Sequence, residues 1–136
     1  MKYPFTVERT ESGGYILQLV DIPEVIAHGD SLDEARSEIL SAFLSFAEWL
    51  FDDGLPIPLP SSAGCDSIDV PVSVTAKILL LNAMTETKTR PSDIARKTGL
   101  AKQEMTRITN LRYKTKIDTL ERAINATGKT LRLQAV

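Results

Sequence analysis

The chain has one cysteine, one histidine and one tryptophan among its 136 residues, and aromatic side chains make up only 6%. A lone Cys65 cannot close an internal disulfide and has no companion at metal-ligand spacing, so neither a disulfide scaffold nor a cysteine metal site is expected. The lone His28 has no serine, cysteine or second histidine at catalytic spacing, and its expected role is a turn or a partner contact. No run of about 18 apolar residues occurs, and the opening MKYPFTVE lacks the apolar core of a signal peptide. No membrane span is therefore expected, and the cytoplasm is the expected compartment. Internal repeats and low-complexity tracts are also missing.

What is present is a soluble-type balance, 43% apolar and 25% charged, with a strongly uneven distribution of charge. The net charge of -2 divides into -10 for residues 1–72, with three basic and thirteen acidic side chains, and +8 for residues 73–136, with thirteen basic and five acidic. Such asymmetry concerns association: the second half suits a polyanion, and the first half attracts a basic protein.

The first half reads as α+β. Residues 3–9 and 15–20 alternate, with Tyr3, Phe5 and Val7, then Tyr15, Leu17 and Leu19, on one face. Ser12, Gly13 and Gly14 supply a hairpin turn, and residues 25–28 make a short third strand closed by Gly29. Ser31 and Glu34 form a capping box, with Asp33 in the first turn of the long helix that follows. Glu34, Glu38, Ser41, Ser45, Glu48 and Asp52 give that helix one polar face. Its other positions, among them Leu40, Phe43, Leu44, Phe46, Trp49 and Phe51, carry more apolar surface than one small sheet needs. A second copy or a partner protein is expected to cover the excess, with a larger internal core as the alternative. Asp53, Gly54 and Leu55 stop the helix, and the prolines of LPIPLPSSAG make a stiff connection, or else a ligand for a proline-binding domain. Residues 67–74 read as a returning strand. The domains are expected at 1–60 and 73–136, with 61–72 as linker and return strand.

The second half reads as all-α with a short terminal strand. A first helix over 75–85 uses Ala76, Leu79, Leu80, Ala83 and Met84. The stretch 91–110, PSDIARKTGLAKQEMTRITN, then has helix-turn-helix spacing. Ala95 is the small residue at the crossing, Gly99 takes the turn, and Ile94, Leu100, Met105 and Ile108 point inward. Thr98 departs from the pattern, standing where an aliphatic side chain is usual. If residues 100–111 form the recognition helix, its free face carries Lys102, Gln103, Thr106, Arg107 and Asn110. Gln and Asn match adenine and Arg matches guanine, so Gln103, Arg107 and Asn110 are the expected base readers. Lys102, Thr106, Arg112 and Lys114 are expected mainly on phosphates, with Lys116 in the same basic patch. Readers of this kind pair across half-sites about 34 Å apart, so at least a homodimer on double-stranded operator DNA is expected. A last helix over 118–127, with Ile117, Leu120 and Ile124 on its buried stripe, precedes a strand through Leu131, Leu133 and Ala135.

Taken as a whole, the chain resembles HicB-type antitoxins that carry a helix-turn-helix tail. The carriers are KYPFTVE, GGYILQLVDIPEV, GDSLDEARSEIL, LPIPLPS, VPVSVTAKILLLNA and TKIDTLERAINATGKTLRL. The tail is separately similar to the repressor-type helix-turn-helix family at Ile94, Ala95, Gly99, Leu100 and Ile108. The resemblance implies a partial ribonuclease-H-like N-terminal sheet that masks a HicA-type toxin, a small basic ribonuclease cutting messenger RNA with a histidine. It also implies a C-terminal domain that binds the operator of the toxin and antitoxin genes. Tyr15, Asp21, Glu24, His28 and Asp30 are the expected toxin contacts. No enzyme activity, catalytic residue, metal or cofactor is carried over, because the acidic residues fall mostly on loops or on the solvent face of the helix rather than converging as a two-metal site requires. A phage-like repressor without a toxin, and a metal-dependent nuclease, are the two alternatives.

Overall fold

The computed structural model describes residues 1–61 and 66–136; Cys65 and the end of the LPIPLPSSAG stretch lie outside the described residues. The chain forms two compact units, Met1–Trp49 with Pro58–Pro71, and Leu50–Ile57 with Val72–Val136. By sequence the first holds three basic and eleven acidic side chains and the second thirteen basic and seven acidic, so the charge division follows the folded units.

In the first unit β1 (Lys2–Arg9), β2 (Tyr15–Leu19), β3 (Ile26–Gly29) and β4 (Ser67–Asp69) make one antiparallel sheet in the order β3-β2-β1-β4. The alternation in β1 and β2 buries Tyr3, Phe5, Leu17 and Leu19, while Val7 towards the hairpin end stays 39% exposed. The hairpin turns through Gly13 at a φ of 88°, a conformation that costs glycine least. Beside it the Gly14 amide donates to Thr10 Oγ1 at 2.8 Å.

α1 (Leu32–Asp52) starts at the expected capping box, with one half of it shifted: Glu34 N donates to Ser31 Oγ at 3.1 Å, while Glu34 Oε2 accepts from Asp30 N at 3.1 Å, one residue before the N-cap. Its buried stripe in this unit is Ala35, Ile39, Phe43 and Ala47, spaced by four residues, and the Phe43 ring lies 4.5 Å from that of Tyr3. Gly29 ends β3 against the first turn of α1, where a Cβ would stand 2.6 Å from Ala35 N. The second apolar flank is left half-covered: Leu40, Leu44 and Phe46 are partly buried and Trp49 is 55% exposed.

Past the helix, the proline-rich segment is irregular but pinned. Ile57 is buried in the second unit, with its N–H and C=O both held by the Asn82 amide at 2.7 and 3.0 Å. Pro58, in the first unit, accepts a 2.7 Å bond from the Tyr3 hydroxyl.

The return strand joins the N-terminal sheet as expected, beside β1, but it spans three residues rather than residues 67–74. α2 (Val72–Thr87) begins directly after Pro71, so Val72, Val74 and Thr75 are helical despite being β-branched. Burial of Ala76, Ile78, Leu80, Leu81, Ala83 and Met84 overrides that local preference. The terminal strand expected through Leu131, Leu133 and Ala135 is not formed; residues 129–136 have no regular structure and Leu133 is 67% exposed. A strand needs a neighbour's backbone, and a single chain offers this segment none.

The Tyr3 hydroxyl is raised well above the usual tyrosine range, chiefly by burial and then by the charge of Asp21. A raised value means that its contribution is complete below about pH 10 and is lost as pH climbs past that point. We predict that Tyr3→Phe lowers stability at pH 7 by about 0.5 to 1.5 kcal/mol, through loss of the bond to Pro58, and makes the decline above pH 10 shallower. Urea denaturation at the two pH values measures both effects.

Candidate nucleic-acid interface

In the second unit α3 (Pro91–Thr98) and α4 (Lys102–Ile108) flank Gly99, which takes a φ of 78° and donates its N–H to Ala95 O at 2.8 Å. Asp93, in the first turn of α3, accepts from Arg90 N at 2.9 Å and from the Arg90 and Arg96 guanidinium groups. Those hydrogen bonds, with the Arg90 side chain the largest influence, hold its carboxyl down at about 2. Thr98 is explained by its hydroxyl, which donates to Ile94 O at 2.7 Å and accepts from Leu100 N at 3.3 Å, closing the turn where an aliphatic side chain could not.

Ile94, Met105, Ile108 and Leu111 form a shared core with Leu120, Ala123 and Ile124 of α5 (Ile117–Ala126). Leu100 is only half-buried, and Ile117, expected on the stripe of α5, is 39% exposed at its first residue.

α4 is shorter than the expected 100–111. Ala101 is still extended, and Thr109 closes the helix with its hydroxyl 3.2 Å from Met105 O. Asn110 therefore stands beyond the helix, where its Oδ1 accepts from Arg112 N at 2.9 Å. Lys102, Gln103, Thr106, Asn110, Arg112 and Lys114 are all exposed. Arg107 is set apart from them: its guanidinium lies 5.2 Å over the Tyr113 ring and 3.9 Å from Glu104. Between α3 and α4 a groove of about 560 Å³ is lined by Pro91, Ser92, Ala95, Met105 and Thr109, with Lys102 and Thr106 at its wall.

Several basic residues of this unit are occupied inside it. Arg122 donates to Thr98 O at 2.7 Å and Lys97 to Ala126 O at 3.2 Å, so α3 and α5 cap each other's C-terminal carbonyls. Lys129 pairs with Glu86 at 3.0 Å. Lys77, 1% exposed on α2, donates to the carbonyls of Arg107 at 3.0 Å, Asn110 at 2.8 Å and Tyr113. Sequence reasoning missed Lys77 and counted it as surface charge. Its signal was a single cation inside the otherwise uncharged run VSVTAKILLLNAM.

In the first unit the structure brings three of the five expected contacts together. Tyr15, His28 and Asp30 line a cleft of about 210 Å³ with Thr10 and Ser12, because the β2–β3 register sets Tyr15 opposite Gly29 and Ile16 opposite His28. Arg9 lies 4.5 Å over the Tyr15 ring. Asp21 and Glu24 are elsewhere: Asp21 Oδ2 accepts from Ser61 N at 2.9 Å, and Glu24 is exposed between β2 and β3. Among the described residues no three His, Cys, Asp or Glu side chains converge to hold a metal ion, and no helix is long and apolar enough to cross a membrane.

Residues 2–79 match the family described as HicB-like antitoxin of bacterial toxin-antitoxin systems. "Antitoxin HicB 1" of Photorhabdus laumondii is 44% identical over 98% of this chain and 86% of its own length. "Antitoxin HicB" of Escherichia coli K12 is 41% identical over the whole of both chains. These are names of antitoxins rather than of enzymes. The chain belongs to the HicB-like antitoxin family.

Proposed function

We propose that this protein neutralises a HicA-type, messenger-RNA-cleaving toxin through its acidic first unit. Through α3 and α4, acting as a helix-turn-helix, it binds operator DNA ahead of the toxin and antitoxin genes. It acts in the cytoplasm, as a homodimer or larger assembly. The observation that carries the DNA reading is the row of Lys102, Gln103, Thr106 and Asn110 on and just beyond α4, all exposed, with Arg112 and Lys114 following. Short recognition helices present base-reading side chains in this way, and flanking cations fix register on the phosphates. Gln103 is the first base reader. Asn110 keeps its amide nitrogen for a base while its oxygen holds Arg112, and Arg107 reads guanine by leaving the Tyr113 ring.

For the toxin, the acidic unit complements a cationic RNA-cutting protein, and the cleft of Tyr15, His28 and Asp30, with Glu24 and Asp21 on neighbouring turns, is the proposed contact. Trp49 and the half-covered flank of α1 supply apolar surface for the same partner or for a second copy.

Three outcomes are expected. Gln103→Ala costs on the order of 1 to 3 kcal/mol at one base position, whereas Lys114→Ala weakens binding to all sequences and lowers the salt slope by about one; mobility shifts with operator and scrambled duplexes at several salt concentrations separate them. Equal losses on both duplexes for Gln103→Ala contradict the assignment. Reversing charge with Glu24→Lys and Asp30→Lys together weakens capture of the toxin encoded beside this gene by at least roughly tenfold, through electrostatic mismatch, without altering operator affinity. Co-purification and calorimetry measure that change, and unchanged capture removes the cleft from the contact.

A further inference from the structure

One ionisable group in the second unit has no part in the surface just described: Lys77 of α2, which is 1% exposed. Taking an ammonium out of water is costly unless every donor is met. Here the three N–H donors meet three backbone carbonyls, those of Arg107, Asn110 and Tyr113, residues 30, 33 and 36 positions further along the chain. Arg107 lies in the last turn of α4, where the helix dipole favours a cation, and Asn110 two residues past its end; the carbonyl of each already accepts one backbone N–H, from Asn110 and from Tyr113 at 3.2 and 3.1 Å, and Lys77 adds a charged donor to both. α4 has seven residues, too few for the helix to hold its own direction. Its end is therefore oriented from outside, by a side chain on a helix whose neighbouring positions, Ala76 and Ile78, are core.

The three carbonyls belong to the segment that carries the proposed DNA contacts. Arg107 and Asn110 are proposed base readers, and Tyr113 sits between the phosphate contacts Arg112 and Lys114. The Lys77 ammonium also lies 5.8 Å from the Tyr113 ring, the same ring that supports Arg107. A single buried cation thus joins the backbone under the base readers to the backbone under the phosphate contacts, while its own burial keeps it away from any phosphate.

We infer that Lys77 is a positioning residue for DNA recognition: it fixes the distance between the reading end of α4 and the 110–114 turn, and so sets sequence discrimination without contributing charge to the DNA. This inference rests on the operator-binding proposal and deepens it.

The test uses the full chain with Lys77→Met, which keeps length and removes the donors, and Lys77→Arg, which keeps charge and donors. Far-UV circular dichroism and thermal melting confirm folding, and affinities for operator and scrambled duplexes are measured over a range of salt. Lys77→Met is expected to cut the operator-to-scrambled affinity ratio by at least roughly tenfold while leaving scrambled-DNA affinity and its salt slope at wild-type values, since a buried ammonium releases no counterion. Lys77→Arg is expected to recover part of the ratio. Amide shifts in Lys77→Met are expected to concentrate in residues 107–114. An unchanged ratio overturns the inference, and so does a salt slope lowered by about one on both duplexes, which would place Lys77 on a phosphate. Loss of cooperative melting in both variants also overturns it, by making Lys77 a folding residue. A wild-type protein that shows no operator preference, but whose Lys77→Met shifts still concentrate in residues 107–114, counts against operator binding and not against the geometry.

Discussion

A carbonyl oxygen at the end of a helix needs a donor, and in the second unit lysine and arginine side chains supply it. The contact of Lys77 with the carbonyls at and beyond the end of α4 is the constraint on which that unit depends, because α4 is too short to be ordered by its own hydrogen bonds. Arg122 and Lys97 repeat the device between α3 and α5. The small helices are held in register by cations reaching across to carbonyls at or just past the C-terminal ends of their neighbours, in addition to the core around Ile94, Ile108 and Leu120.

This changes the meaning of the basic charge. A count of thirteen cations in residues 73–136 suggests a broad phosphate-binding surface. Lys77 is buried, Lys97 and Arg122 cap helices, Arg90 and Arg96 face Asp93, and Lys129 faces Glu86. The exposed cations nearest the free side of α4 are Lys102, Arg112, Lys114 and Lys116, close to the polar side chains that suit base edges. Charge is concentrated where readout is proposed, and Lys77, Lys97 and Arg122 serve the fold instead. The first unit uses its charge differently: most of its carboxylates are on the surface, and its core of Tyr3, Phe5, Leu17, Leu19, Ile39 and Phe43 is uncharged.

Local signals were the legible part of the sequence. Ser12, Gly13 and Gly14 placed the hairpin, and Ser31 with Glu34 placed the start of α1, because each depends on residues a few positions apart. Elements decided by distant partners were harder to read. Val72 and Val74 favour a strand by themselves and become helical through the burial of α2. The alternation of Leu131 and Leu133 had no backbone to pair with. In the candidate sites, the exposure of Lys102, Gln103 and Thr106 followed from helical spacing, whereas the stacking of Arg107 on Tyr113 and the capture of Asn110 by Arg112 depend on the chain folding back after α4. The meeting of Tyr15, His28 and Asp30 in one cleft depends on strand register, which no single-strand pattern contains.

The central claim is that two oppositely charged units engage two different ligands. Amide and side-chain NMR shifts of the isotopically labelled full chain, recorded as an operator duplex is added, test it most directly. The account predicts that the largest changes fall on Lys102, Gln103, Thr106 and residues 110–114, with the strands β1 to β3 unmoved. Shifts centred on the sheet, with the exposed side of α4 unaffected, would contradict it.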